Sequence, residues 1–256
     1  MTALITGATA GIGAAFAEIL AEEGTDLVVV ARSTERLAAL AERLSAQHGI
    51  EVEVLPADLA TDEGCRAVTA RLTDPSTPID LLVNNAGFGL NRDFVGGDLA
   101  GEERLLDVLV RATLRLTHAA LPGMVDRGCG IVINVSSIAG WVPLGTYSAA
   151  KAWVTVFTEG LASELAGSGV TATAVCPGLT RTEFHERADM DVRALPGWTW
   201  LAARRVACEG LRDARAGRVI SVPSKRYSGL SLTAAHTPRP LLRWLASLSP
   251  TTRGRR

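Results

Sequence analysis

The chain has few of the residues that mark metal and redox chemistry. Its four cysteines (Cys65, Cys129, Cys176, Cys208) are far apart and form no C-x-x-C pair. That pattern is neither a disulfide framework nor a zinc signature, and it fits a reducing compartment. The four histidines (His48, His118, His185, His236) show no H-E-x-x-H or similar spacing, so no metal site is expected. Acidic and basic residues nearly cancel, leaving a formal net charge of −1. Neither nucleic acid nor a membrane surface is therefore expected as the main partner. No run of about 18 apolar residues exists to span a bilayer. The opening MTALITGA puts no basic region before an apolar one, so no signal peptide and a cytoplasmic location are expected. There are no low-complexity segments and no 20–50-residue repeats.

What the chain does have is an ample supply of core residues: 47% of its 256 residues are hydrophobic. Short β-branched runs alternate with helical patterns. Strands are expected at 3–6, 26–31, 51–58, 79–87, 130–137, 170–178 and 218–223. Helices are expected at 10–24, 34–49, 61–72, within 101–128, and at 147–169. Runs such as DLVVVA and GIVINVS are apolar nearly throughout, as in strands covered on both faces. The rhythm predicts a single-domain Rossmann-type α/β fold, a doubly wound parallel sheet of about seven strands with helices on both faces. The division expected is a domain over 1–235, including a polar substrate segment at 179–200, and a basic amphipathic tail over 236–256.

Within this frame a few residues are chemically suggestive. After the first strand comes Gly7-Ala8-Thr9-Ala10-Gly11-Ile12-Gly13, opening a helix. Glycines permit a tight turn and close approach of a diphosphate, and the helix start offers free N–H groups. Tyr147 and Lys151, four apart in YSAAK, share one helix face. Taken alone they are either a solvated surface pair or an acid poised for proton transfer.

The ordered set TGATAGIG (6–13), NNAG (84–87), SSIAG (136–140), YSAAK (147–151) and PG (177–178) with Thr182 resembles the classical short-chain dehydrogenase/reductase family over roughly residues 2–223. The resemblance implies hydride transfer between a nicotinamide and a carbonyl or alcohol. Tyr147 then matches the proton donor and acceptor, and Lys151 the residue that tunes it and holds the nicotinamide ribose. A phenol with pKa about 10 is a poor partner near neutral pH, and a neighbouring ammonium should lower it. Successive strand side chains alternate faces, so only one of Ser136 and Ser137 can point at the site. Matching S-x-A-G selects Ser137. The link from Ser137 to Tyr147 is about three residues shorter than is common in the family.

For the cofactor, the resemblance implies Gly7, Thr9, Gly11, Ile12 and Gly13 at the diphosphate, Asp58 with Leu59 at the adenine, and Asn84, Asn85, Ala86 and Gly87 along the middle. Pro177, Gly178 and Thr182 belong at the carboxamide end. The second strand ends in Ala31-Arg32 rather than an acid, and a guanidinium suits a 2′-phosphate. NADP(H) is favoured over NAD(H), modestly, because Ala10 supplies no second cation. Leu109 falls where the family carries an asparagine that positions a water for the lysine. Leucine cannot hydrogen-bond, so a slower or different proton route is expected.

Phe184, Leu195, Trp198, Trp200, Trp141 and Leu144 are candidate pocket residues, suggesting an apolar or aromatic carbonyl substrate. Core packing is an equal reading for each, and His185 reads as a surface lid residue. The tail carries Arg239, Arg243, Arg253, Arg255 and Arg256 with no acid, and Leu241, Leu242, Trp244, Leu245 and Leu248 can form one stripe. Such a helix packs on its own or a neighbouring subunit, or rests on an anionic membrane. A homodimer or homotetramer through the helices of 101–127 and 147–168 is implied by the family. Two rivals remain: a nucleotide-binding regulator without turnover, and an NAD-linked alcohol dehydrogenase.

Overall fold

The computed structural model describes residues 1–90, 93–188 and 196–247. Strand β1 (Thr2–Thr6) leads through the glycine turn into α1 (Gly11–Glu22). β2 (Asp26–Ala31), α2 (Thr34–His48), β3 (Val52–Pro56), α3 (Asp62–Leu72) and β4 (Leu81–Asn84) continue the alternation. A long helical rod follows: α4 (Leu99–Leu106), a π-helical segment (Asp107–Ala112) and α5 (Thr113–Asp126). Then come β5 (Gly130–Val135), a 3₁₀ turn (Ile138–Trp141), α6 (Gly145–Glu164) and β6 (Val170–Val175). Next comes a short parallel pair, β7 (Thr180–Arg181) and β8 (Leu201–Ala202), with α7 (Phe184–Arg187) between them in the sequence. After these come α8 (Ala203–Arg215), β9 (Ile220–Ser221), α9 (Lys225–His236) and α10 (Arg239–Ser247).

Seven strands form one parallel sheet in the order β3-β2-β1-β4-β5-β6-β9. Alternation sorts their side chains. Ala3, Ile5, Val29, Val83, Ile133 and Val175 pack under α1, α2 and α8. Leu4, Val28, Val30, Leu82, Val132 and Ala172 face α3, α5 and α6. Each of the valine, leucine and isoleucine side chains contributes about 1.5–3 kcal/mol when removed from water, which is why these strands read as unbroken apolar runs. The strand order reverses between β1 and β4, and the cleft opens there, beyond the strand C-termini.

The sequence pattern found the seven strands of this sheet, with ends that differ by a few residues. It missed α8, whose buried Val206, Ala207, Leu211 and Ala214 are spaced for one face, and it missed α9. The last strand is shorter than 218–223, only Ile220–Ser221. No described helix is long and apolar enough to cross a membrane.

Candidate active site

The site begins with how β1 ends. The Thr6 hydroxyl accepts from the Asn85 and Ala86 amides, at 2.9 and 3.0 Å, and donates to the Val83 carbonyl. The Asn85 side chain donates to the Thr6 carbonyl at 2.9 Å. The glycine turn is thereby fastened to the NNAG stretch. Asn84 points the other way: it is buried and donates to Thr117 and Asn134, so it is a structural residue and not a cleft residue.

The turn itself is a cradle with no room for side chains. Gly11 has φ +56°, and a Cβ there would lie 2.8 Å from the Thr182 methyl. A Cβ on Gly13 would lie 2.3 Å from the Gly7 carbonyl oxygen, so Gly13 serves close packing beneath the turn and does not line the cleft. α2, α3 and α4 are N-capped by Ser33, Thr61 and Asp98. α1, like α6 and α8, has no side-chain cap and no acid in its first turn, and its first residues Gly11 and Ile12 line the cleft, so its amides are open to a ligand there. This is the donor set a diphosphate needs.

At the end of β2, Arg32 lines the cleft beside Ser33 and Arg36. Ala10 supplies no cation, as expected, but Arg36 of α2 also lines the cleft. Its guanidinium donates to the Thr9 carbonyl at 2.9 Å and pairs with Glu183 at 3.0 Å, spanning from α2 to the segment after β7. Asp58 receives the Ala60 amide and an ion pair from Arg104 at 2.6 Å. Partial burial opposes its charge, but these partners outweigh it and hold the carboxyl below its usual range.

At the other end lie Ser137, Tyr147 and Lys151. β5 delivers Ser136 and Ser137 to opposite sides. The Ser136 hydroxyl is consumed in the interior, donating to the Lys151 carbonyl at 2.7 Å, with the Thr155 hydroxyl 2.8 Å away. Ser137 faces Tyr147 and accepts from the Ala139 amide, capping the 3₁₀ turn that takes up the short link. Gly140 lets that turn press on α6, since a Cβ there would lie 2.9 Å from the Ala152 nitrogen. The Tyr147 ring packs against Phe184, centroids 5.6 Å apart.

The lysine does not act as the spacing suggested. Its Nζ is 5.8 Å from the Tyr147 ring centroid and donates instead to the Val135 carbonyl at 2.7 Å. Burial pushes the Tyr147 phenol up to about 12, with the Ser137 hydroxyl pulling the other way. Burial also brings Lys151 down to about 8. The expected lowering of Tyr147 by Lys151 is thus overturned by desolvation of both. Leu109, in the π-helical segment, is fully buried beside this pair. A methyl on Gly87 would meet its Cδ2 at 2.8 Å and Lys151 Nζ at 3.9 Å.

The cradle and the Ser137–Tyr147–Lys151 group border one cleft of about 1460 Å³. It takes in Gly7, Thr9, Gly11, Ile12, Arg32, Asp58, Leu59, Asn85, Ala86 and Gly87 at one end. Ser137, Tyr147, Lys151, Pro177, Gly178, Thr182 and Phe184 line the other. Leu144 lines it too, whereas Trp141, Trp198 and Trp200 do not. Trp198 is exposed and lies against Arg226. Leu195, Leu248, Arg253, Arg255 and Arg256 lie outside the described residues, as do the side chains of His185 and Leu245. Phe88, Leu90, Phe94, Arg104 and Arg243 line the cleft without having been expected. Arg36 was legible, one helical turn after Arg32. Arg243 carried no local signal.

Residues 1–192 match the family model of short chain dehydrogenases. The chain belongs to that family. It is an oxidoreductase acting between alcohol and carbonyl groups, with an NAD(P)-binding Rossmann-type fold. Sulfoacetaldehyde reductase 2 of Chromohalobacter salexigens is 38% identical over 186 residues, covering 71% of this chain and 73% of its own. Several solved structures match nearly end to end, among them the following two. A short-chain dehydrogenase from Sphingobium yanoikuyae in complex with NADPH is 35% identical with a TM-score of 0.84, covering 97% of this chain and 96% of that one. A bulky-bulky ketone specific alcohol dehydrogenase from Comamonas testosteroni is 29% identical with a TM-score of 0.79, covering 97% and 95%.

Proposed function

We propose that this short-chain dehydrogenase is an NADP(H)-dependent carbonyl reductase for bulky, largely apolar ketones, with Tyr147 as the proton donor. The observation that carries the reading is one continuous cleft. It joins an uncapped glycine cradle, with Arg32 and Arg36 beside it, to the Ser137–Tyr147–Lys151 wall. The cradle suits a diphosphate, and the guanidinium of Arg32 suits a 2′-phosphate where an acid would select the ribose hydroxyl. The known NADPH complex of the Sphingobium relative supports the same preference.

The nicotinamide, when bound, supplies the hydride to the substrate carbon. The Ser137 hydroxyl steadies the substrate oxygen by a hydrogen bond. The Tyr147 phenol gives its proton to that oxygen as it becomes an alcohol, and the phenolate left behind draws a proton from the open cleft. A phenol held at about 12 is protonated at all physiological pH, so the proton is in place, and it is given up only as Lys151 stabilises the phenolate. Lys151, protonated below about 8, stabilises the phenolate as it forms. Phe88, Leu90, Phe94, Leu144 and Phe184 give the substrate end its apolar surface. The end-to-end likeness to a bulky-ketone enzyme, C-terminal helices included, supports a large substrate.

The test is NADPH consumption with a panel of aryl and alkyl ketones. Tyr147→Phe is expected to lower kcat at least a thousandfold while NADPH binding, read by tryptophan fluorescence, is kept. A Phe variant with undiminished turnover would refute the assigned donor. Leu109 beside Lys151 motivates the second reading, a nucleotide-binding regulator. NADPH binding with no turnover of any carbonyl would favour it.

A further inference from the structure

The cradle and the catalytic wall account for most charged groups in the cleft. Arg36 is paired with Glu183, Arg104 with Asp58, and Lys151 is held by Val135. Arg243 fits none of these roles. It stands on α10, near the C-terminus, yet it lines the same cleft as Tyr147, Leu144 and Phe184. It makes no ion pair and no hydrogen bond with any described residue.

The way α10 is held explains how it gets there. The Tyr227 ring of α9 seats on Gly178, where a Cβ would lie 2.3 Å from its Cε2, and its hydroxyl donates to the Thr199 carbonyl at 2.7 Å. α9 also packs against the 3₁₀ turn that follows Ser137. This anchors the C-terminal helix pair on the catalytic side of the molecule. Arg32, Arg36 and Asp58-bound Arg104 lie at the opposite end, at the mouths of β2 and β3. Buried Leu242 seats α10, and the next residue, Arg243, reaches the cleft.

We propose that Arg243 determines specificity by receiving an anionic group, a carboxylate, sulfonate or phosphate, carried by an otherwise apolar carbonyl substrate at the end away from the reacting carbon. The inference rests on the carbonyl-reductase reading above. A guanidinium with no ion pair to any described residue, at the exposed rim of an apolar-walled cleft, accepts an anion because its planar fork matches the oxygens of an acid. A neutral ketone of the same shape lacks that contact. The substrate selected is amphiphilic: an aryl or alkyl body for the apolar lining, and a charge at its tip.

The experiment uses the full chain with NADPH and matched pairs: acetylbenzoate, benzoylpropionate and benzoylbutyrate, each beside its methyl ester. Wild type is expected to show a KM at least about tenfold lower for the best acid than for its ester, with similar kcat. Arg243→Ala is expected to erase that ratio by raising KM for the acid alone, and Arg243→Lys to restore part of it. NADPH affinity should be the same in all three proteins. An acid-to-ester ratio that Arg243→Ala leaves unchanged overturns the proposal, as does a variant that loses NADPH affinity instead. If esters are reduced and no acid is preferred, the inference fails while the reductase reading stands. If no ketone is turned over, calorimetric titration of the Tyr147→Phe–NADPH complex with the same acids decides. Binding that needs Arg243 supports the anion site, and absence of binding overturns it. Loss of NADPH binding itself would instead sink the underlying reading.

Discussion

The Lys151 ammonium donates to the main-chain carbonyl of Val135 at 2.7 Å, and this bond, rather than a contact with the phenol, fixes the lysine in its buried position. With burial lowering it to about 8, Lys151 loses its proton within the range of an ordinary activity profile. The reduction rate is expected to hold below pH 8 and to fall as pH rises through it, while Tyr147 at about 12 stays protonated throughout. The stability sign is set by the same shift. The unfolded chain binds a proton at Lys151 that the fold does not, between about 8 and the free lysine value near 10.4, so stability should rise across that window. Lys151→Met should flatten both profiles. A rate that stays level from pH 7 to 10 would contradict the assignment.

Leu109 lies against the same pair and keeps polar groups away from it. Leu109→Asn brings an amide dipole beside Lys151, easing its desolvation. The alkaline limb of the rate profile should move to higher pH. Loss of the buried leucine should at the same time cost about 2–4 kcal/mol in denaturant unfolding. An unmoved limb would show that Leu109 does not govern the lysine.

Arg32 makes no ion pair within 4 Å with any described residue, although its charge is felt at Asp58, and it faces the cleft. A charge-assisted hydrogen bond contributes about 1.5–3 kcal/mol, so Arg32→Ala should weaken NADPH binding by roughly ten- to a hundredfold and leave NADH nearly unchanged. Titration of both nucleotides checks this. Equal losses for the two would remove the 2′-phosphate role.

Gly13 has no space for a methyl group, with the Gly7 carbonyl oxygen 2.3 Å and the Asn85 amide nitrogen 2.4 Å from an added Cβ. These neighbours are main chain and a hydrogen-bonded side chain, and cannot swing aside. Gly13→Ala should cost about 1–3 kcal/mol, lowering Tm by several degrees, and should displace the turn enough to abolish NADPH binding. Gly24→Ala, with nothing within 4 Å of its Cβ, should leave binding intact.

The sheet and the site differ in how far the sequence reached. DLVVVA and GIVINVS could be read as strands because local composition and both-face burial coincide in them. YSAAK on its helix and the glycines after β1 could be placed because each is a local turn or one helix face. α8 was missed although its apolar residues are regularly spaced, since arginines crowd the same stretch. Trp198 looked like a pocket residue by composition, but it lies outside, against Arg226.

The sequence by itself determined the parallel α/β architecture, because periodicity encodes it, and the glycine turn, because short-range spacing does; the Ser137, Tyr147 and Lys151 trio came from its resemblance to the family. Only the tertiary structure decided their electrostatics and the cleft's far wall. Whether Lys151 lowers the Tyr147 pKa depends on how deeply both are buried and on which carbonyl the ammonium finds, and Val135 is sixteen residues away in the chain. Arg36 meets Glu183 across 147 residues. Arg243 reaches the catalytic cleft only because Tyr227 and Leu242 dock the last two helices there. Such contacts are set by the packing of distant segments, and desolvation depends on everything that surrounds a group, so neither is written in local sequence.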